Sequence, residues 1–353
     1  MSGVRVMIMA GGTGGHIFPG LAVAEVLRAR GAEVFWLGTP TGLENRLVPR
    51  AGIELEHVHI QGLRGRGLMG WLAAPLRIAR AVWQARGIMR RRRPQCVLSM
   101  GGYVAGPGAL AARLMGVPLV VHEQNAIAGL TNRLLRPLAK RVMTGFPDTL
   151  AGGEHVGNPV RAAIAAIEAP EKRMVEHDGP LRVLVIGGSQ GAAAFTHVVP
   201  EALAKLDPPH RPEVVHQAGR QIEETRLAYE QAGIDGDVRE FIDDMAAAWA
   251  NADLAICRAG ALTVAELAAA GVASVLVPFP HAVDDHQTAN ARFLSDAGGA
   301  RLISQPQFSA AWLAKLFQRL TREELTSMAA KARARSRTDA AERVAEACLE
   351  VAR

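Results

Sequence analysis

The residues best suited to chemistry sit in glycine-rich stretches that follow short apolar runs. The first is V-R-V-M-I-M-A-G-G-T-G-G-H-I-F-P over Val4–Pro19, where a buried strand enters a tight loop and a helical pattern resumes at Leu21. Glycines let such a loop take φ > 0 and bring main-chain N–H groups close to an anion, while the next helix aims the positive end of its dipole there. A diphosphate is the natural guest, although a plain sharp turn would look the same. The spacing is not the G-x-G-x-x-G dinucleotide fingerprint, which argues against a dehydrogenase.

Further polar groups fall at later strand ends. Met100-Gly-Gly-Tyr-Val-Ala-Gly-Pro-Gly108 is a second glycine-rich turn, and the strand Val117–Val121 delivers His122-Glu-Gln-Asn125. His122 reads more readily as a histidine bonded into the fold than as a reactive one; Glu123 and Asn125 are open to either role. In an open parallel sheet ligands gather at the carboxyl ends of strands, so these three ends imply one cleft. Arg258-Ala-Gly-Ala-Leu-Thr-Val-Ala-Glu266 predicts a helix from about Leu262 with Glu266 one turn in. A carboxylate there could accept two hydrogen bonds from a ribose, or simply favour the helix dipole. Gln287 and Asn290 share a helical face, suited to sugar hydroxyls or equally to solvent.

The elements that must position these groups repeat. Leu181-Arg-Val-Leu-Val-Ile-Gly-Gly-Ser-Gln-Gly191 restates the opening, aligning Val4 with Leu181, Gly11 with Gly188 and Gly14 with Gly191. That self-similarity predicts two Rossmann-like α/β domains, 1–160 and 161–337, with a linker from Arg161 to about Pro180. The helical tail from Phe308 breaks near Ser336–Thr338, and its last helix, about 338–353, is expected to return to the first domain. Leu68–Arg86 places Leu68, Trp71, Leu72, Leu76, Ala79, Val82 and Trp83 on one stripe, with a possible kink at Pro75 and Arg90–Arg93 following. It fits a core-facing helix with a solvated basic end, or one that dips into an anionic membrane surface.

At 353 residues the chain has room for two full cores. With 40 Lys+Arg against 34 Asp+Glu, the net charge of +6 suits anionic ligands or surfaces. Aromatic residues are too sparse among the arginines for a single-strand groove, so nucleic acid is not expected as a partner. Cys96, Cys257 and Cys348 are far apart in sequence, which argues for a reducing compartment and against structural zinc or a disulfide frame. No apolar window reaches the ~18 residues of a membrane span, and the N-terminal run reads as a strand rather than a signal peptide.

Together, G-G-T-G-G-H-I-F-P-G, M-G-G-Y-V-A-G-P, H-E-Q-N, G-N-P-V-R, G-G-S-Q-G-A, R-A-G-A-L-T-V-A-E and P-F-P-H with H-Q-x-x-N-A carry a resemblance over nearly the whole chain. In order and spacing they resemble the MurG family of bacterial peptidoglycan glycosyltransferases, in glycosyltransferase family 28. That resemblance implies a GT-B fold: two Rossmann-like domains with parallel sheets facing a deep interdomain cleft. It implies transfer of N-acetylglucosamine from UDP-GlcNAc to the C4 hydroxyl of undecaprenyl-diphosphate-MurNAc-pentapeptide (lipid I), forming lipid II.

Carried over by position, the resemblance gives Ser189 to the diphosphate, the Ile242 main chain to uracil, and Glu266 to the ribose. Ala261, Leu262, Thr263, Val264 and Ala265 line the nucleotide, and Gln287, with Asn290 beside it, meets the sugar. Thr13, Gly14, Gly15, Asn125 and Arg161 complete the site from the first domain. Asp285 stands where the family often has Asn and is left out. His16 is implied as the base of an inverting displacement, with Glu123 or Asn125 positioning the acceptor. No metal or other cofactor is implied, there being no D-x-D pair placed to hold a metal. A lipid-linked acceptor also favours the membrane-facing role of Leu68–Arg93, and a peripheral place on the cytoplasmic face of the inner membrane. The alternatives are a GT-B transferase with another lipid acceptor, such as diacylglycerol, and a non-catalytic UDP-sugar-binding scaffold.

Overall fold

The computed structural model describes residues 3–60, 74–174, 179–188 and 191–353. The chain divides into two compact units, Met1–Arg161 with Arg337–Arg353, and Ala162–Ser336.

In the first unit, β1 (Arg5–Met9), β2 (Glu33–Gly38), β3 (Glu54–His57), β4 (Cys96–Ser99), β5 (Leu119–Glu123), β6 (Arg141–Thr144) and β7 (Glu154–His155) form one parallel sheet. Their order is β3-β2-β1-β4-β5-β6-β7. Alternate strand residues point to opposite faces, so each strand feeds two cores. Val6, Ile8, Trp36, Leu98 and Val120 enter one, with Val344, Ala345 and Cys348 of the last helix, Ala340–Val351. Met7, Met9, Phe35, Val97 and Val121 enter the other, beneath the helices Ala74–Arg92 and Ala105–Leu114. This double burial explains why the strands lack polar alternation.

Three sequence expectations change here. The first helix spans Gly14–Ala29, so it starts at Gly14 rather than Leu21. Gly14 and Gly15 are weak helix formers and hid the start; packing overrides them, because Gly20 lies so close to Trp36 that a Cβ would stand 2.6 Å from the indole. The basic run does not follow its helix but forms its last turn, which ends where Arg93 turns left-handed. Finally, Cys96 and Cys348, remote in sequence, meet in the core, where a hydrogen bond from the Cys348 thiol to Cys96, together with burial, pushes Cys348 well above its ordinary range.

The predicted stripe on that helix is also redistributed. Ala74, Ala81, Ala85, Ile88 and Met89 face the core, while Leu76 and Trp83 are 79% and 76% exposed. Small alanines allow the helix to approach the sheet closely and turn the larger side chains outward. Arg91 pairs with Glu56, and Arg92 with Glu54 and Glu56, so part of the basic end is neutralised by β3. Residues 61–73, including Leu68, Trp71 and Leu72, lie outside the described residues.

The second unit repeats the plan. β8 (Arg182–Ile186), β9 (Glu213–Gln217), β10 (Asp237–Arg239), β11 (Leu254–Cys257), β12 (Ala273–Leu276) and β13 (Ala300–Leu302) form a parallel sheet ordered β10-β9-β8-β11-β12-β13. β1 and β8 begin and end at aligned positions of the repeat. The expected linker is instead built onto this unit: Pro170–Arg173 is helical, and buried Arg173 donates to the carbonyls of Ala270 and Gly271 at 2.9 and 2.8 Å. In both sheets the strand order reverses beside the first strand, between β1 and β4 and between β8 and β11. Such switch points open a crevice at the strands' carboxyl ends.

Candidate active site

At the β1/β4 switch point the two glycine turns interlock. Gly102, at φ +85°, approaches so closely that a Cβ would lie 2.8 Å from the Gly11 carbonyl oxygen. Gly101 lies against His16, whose imidazole would be 3.3 Å from a Cβ there. His16 is the third residue of its helix and half-buried. Thr13, extended and exposed, precedes Gly14 and Gly15, whose N–H groups lack acceptors within the helix by geometry. Gly12 is different: its N–H donates to Glu44 Oε2 at 3.1 Å, so it is turned away from any ligand.

The H-E-Q-N segment is mostly internal. His122 is fully buried; its Nε2–H donates to the Gly157 carbonyl at 2.9 Å, which leaves Nδ1 to accept from Gln124 Nε2 at 3.1 Å. Burial pushes its pKa down to about 4, in keeping with a role in the fold. Glu123 is 2% exposed, and its carboxylate accepts from Asn125 N and Nδ2, Gly129 N and Asn132 Nδ2 at 3.0–3.3 Å. A carboxylate so enclosed shapes the loop that presents half-buried Asn125 and is badly placed to take a substrate proton. Asn132, which the sequence does not single out, also accepts from Ser99 Oγ, whose oxygen receives the Gly101 N–H. One buried network therefore joins the Asn125 loop to the glycine on which His16 rests. Asn158 Nδ2 donates to the Gln124 carbonyl, and the Arg161 guanidinium stacks 5.6 Å above Phe18 of the first helix.

The second unit has a comparable arrangement. Gly191, at φ +76°, leaves no room for a Cβ beside the Ala218 carbonyl, while Ser189 lies outside the described residues. After β11, Gly260 leads into the helix Ala261–Ala270. Ala261 and Val264 are buried, and Leu262, Thr263 and Ala265 are half-buried. Glu266 is 6% exposed, and Oε2 accepts from Trp249 Nε1 at 3.2 Å, a contact that fixes its rotamer. Trp249 rides on Met245–Asn251, a helix capped by Asp244 just after buried Ile242.

The paired amides divide their roles. Asn290 is fully buried and donates to the Ala259 carbonyl at 3.1 Å, holding the turn before Gly260 rather than lying on an open sugar-facing surface. Gln287 is half-buried, and its Oε1 accepts from the Phe279 N–H at 2.8 Å. Asp284 and Asp285, both left-handed, turn the chain into that helix. Arg258, given no role by the sequence motif it opens, bonds the Val277 and Pro278 carbonyls and Gln305 and stacks on Phe195 and Phe279.

Among the described residues each unit thus buries one histidine in neutral form, since His216, beside Tyr229, is also pushed by burial to about 4. Below pH ~6.5 the unfolded chain binds protons that the folded chain refuses, so stability is full above that pH and falls towards pH 4. Each histidine contributes up to about 3 kcal/mol of this loss. Denaturant titrations at stepped pH are expected to show His216→Asn with a flatter decline than wild type; parallel curves would contradict this.

The sequence pattern of the glycosyltransferase family 28 N-terminal domain matches residues 6–144, and that of its C-terminal domain residues 182–344. A protein of Alkalilimnicola ehrlichii is 59% identical over 99% of both chains, and one of Ralstonia nicotianae 56% identical over 99% of this chain and 96% of its own. Both are named UDP-N-acetylglucosamine--N-acetylmuramyl-(pentapeptide) pyrophosphoryl-undecaprenol N-acetylglucosamine transferase. The crystal structure of Acinetobacter baumannii MurG is 45% identical, with a TM-score of 0.84 over 98% of this chain and 99% of its own. With both domain patterns matched and relatives of this identity spanning its length, the chain belongs to glycosyltransferase family 28.

Proposed function

We propose that the chain transfers N-acetylglucosamine from UDP-GlcNAc to the C4 hydroxyl of undecaprenyl-diphosphate-MurNAc-pentapeptide, lipid I, producing lipid II for peptidoglycan synthesis. The observation that carries this is the 56–59% identity, over 99% of the chain, to relatives named for that transfer.

The second unit holds the donor. Glu266, oriented by Trp249, takes the ribose hydroxyls, and the N-terminus of its helix stabilises the diphosphate as UDP leaves. Ser189 adds to the diphosphate site, the Ile242 main chain reads the base, and Gln287 meets the sugar, while Asn290 braces the turn beneath them. The first unit supplies the base. His16 takes the proton of the acceptor hydroxyl as its oxygen bonds to the anomeric carbon and the bond to the UDP oxygen breaks. A single displacement converts the α-linked donor into a β-linked product. Asn125, held by Glu123, positions the acceptor, with Thr13, Gly14, Gly15 and Arg161 around it.

The test is turnover with lipid I and a panel of UDP-sugars. Transfer from UDP-GlcNAc in preference to UDP-glucose is the expected result, whereas donor binding without transfer would support an idle scaffold instead.

An acceptor carried on a lipid requires contact with the bilayer. Among the described residues no helix is long and apolar enough to cross a membrane. Exposed Leu76 and Trp83 share a helical face flanked by Arg77 and Arg80, and nearby helices expose Leu110, Leu114, Leu130 and Leu134. Apolar anchors with arginines beside them suit an anionic membrane surface, with the chain acting peripherally at the cytoplasmic face. Replacing Leu76 and Trp83 together by serine is expected to reduce co-sedimentation with anionic vesicles several-fold. Binding equal to wild type would contradict the assignment.

A further inference from the structure

Glu44 opens the helix Glu44–Arg50, yet it is 0% exposed. Its Oε2 accepts the Gly12 N–H at 3.1 Å, and its Oε1 accepts both the Thr39 N–H and the Thr39 hydroxyl at 2.8 Å. The chain is moulded around this carboxylate: Cβ atoms at Gly11, Gly38 and Gly42 would lie 2.8, 2.7 and 1.9 Å from Glu44 atoms. A buried carboxylate is tolerated only when donors surround it, and here they come from the loops after β1 and β2. It therefore ties the end of β1 to the end of β2 at the residue just before Thr13, where the His16 helix begins. Gly12 itself, at φ +93°, has nothing within 4 Å of where a Cβ would stand, so packing on that side does not hold it.

We propose that Glu44 is a positioning residue for sugar transfer, holding the first glycine loop and with it the start of the helix that presents His16. This rests on His16 being the base. Glu44 touches no substrate; it sets where the loop stands, and a misplacement of about 1 Å at a reacting group can cost roughly 10²-fold in rate.

The experiment compares wild type, Glu44→Gln and Thr39→Val by steady-state kinetics with UDP-GlcNAc and lipid I, with thermal unfolding of each protein. In Glu44→Gln an amide NH₂ must face one of the present donors, so the loop shifts. The expected result is a kcat about 10²-fold lower, with the KM for UDP-GlcNAc within about twofold of wild type, because the donor site is in the other unit. Thr39→Val, which removes one donor, is expected to lower kcat several-fold in the same sense. Wild-type kcat in folded Glu44→Gln, or a loss matched by an equal rise in donor KM, would overturn the proposal. Should Glu44→Gln not fold, wild-type kcat in folded Thr39→Val overturns it instead. An enzyme that depends on His16 but ignores these changes refutes only the role of Glu44, whereas indifference to His16→Ala removes the base on which it rests.

Discussion

Replacing His16 by alanine is expected to lower kcat by about 10²- to 10⁴-fold, the usual contribution of a positioned general base. The KM for UDP-GlcNAc should stay near the wild-type value, because the proposed mechanism has His16 act on the acceptor hydroxyl and assigns the nucleotide to the second unit. The imidazole suits proton removal because its ordinary pKa lies near neutrality, and it stands in the first turn of a helix against a glycine that leaves it room. Two other ionisable groups of the first unit, both in H-E-Q-N, are engaged. His122 is buried with a pKa of about 4, and Glu123 is enclosed by N–H donors. Steady-state kinetics with lipid I checks the expectation; near-normal kcat with normal donor binding would mean that the base is another group.

The second large effect is expected at Glu266. In the proposed role, alanine there removes the hydrogen bonds that the ribose hydroxyls donate to the carboxylate, each worth about 1.5–3 kcal/mol because one partner is charged. The KM for UDP-GlcNAc should rise roughly 10²-fold or more with a smaller change in kcat, since these bonds form in the ground state as well. Trp249→Phe keeps an aromatic side chain, though a smaller one, but removes the Nε1–H that orients Oε2 at 3.2 Å, and should move KM the same way by less. An unchanged KM in Glu266→Ala, measured with isotopically labelled donor, would remove the ribose from this carboxylate.

Much of this architecture was legible because its signals are local. Parallel strands buried on both faces read as apolar runs, the glycine turns mark their ends, and the aligned starts of β1 and β8 exposed the repeat. What stayed hidden depends on partners distant in sequence. Nothing local distinguishes Glu44, buried under Gly12, from a solvated acid opening a helix, or Asn132, joined to Ser99 and Glu123, from a surface amide. Helical periodicity showed that the segment up to Arg86 is amphipathic but not which stripe faces inward. The alanine-rich stripe packs on the sheet, and Leu76 and Trp83 are left outside. Asn290 and Gln287 do share a face, yet both amides are bonded to main-chain groups of other segments, Ala259 and Phe279.

In the proposed reaction a single displacement at the anomeric carbon places N-acetylglucosamine on the muramyl C4 oxygen. Its most direct test is NMR of the purified product from UDP-GlcNAc and lipid I. One new β-linkage to C4, with UDP released in equal amount, is the predicted result. An α-linkage, attachment at another position, or UDP release without sugar transfer would contradict it.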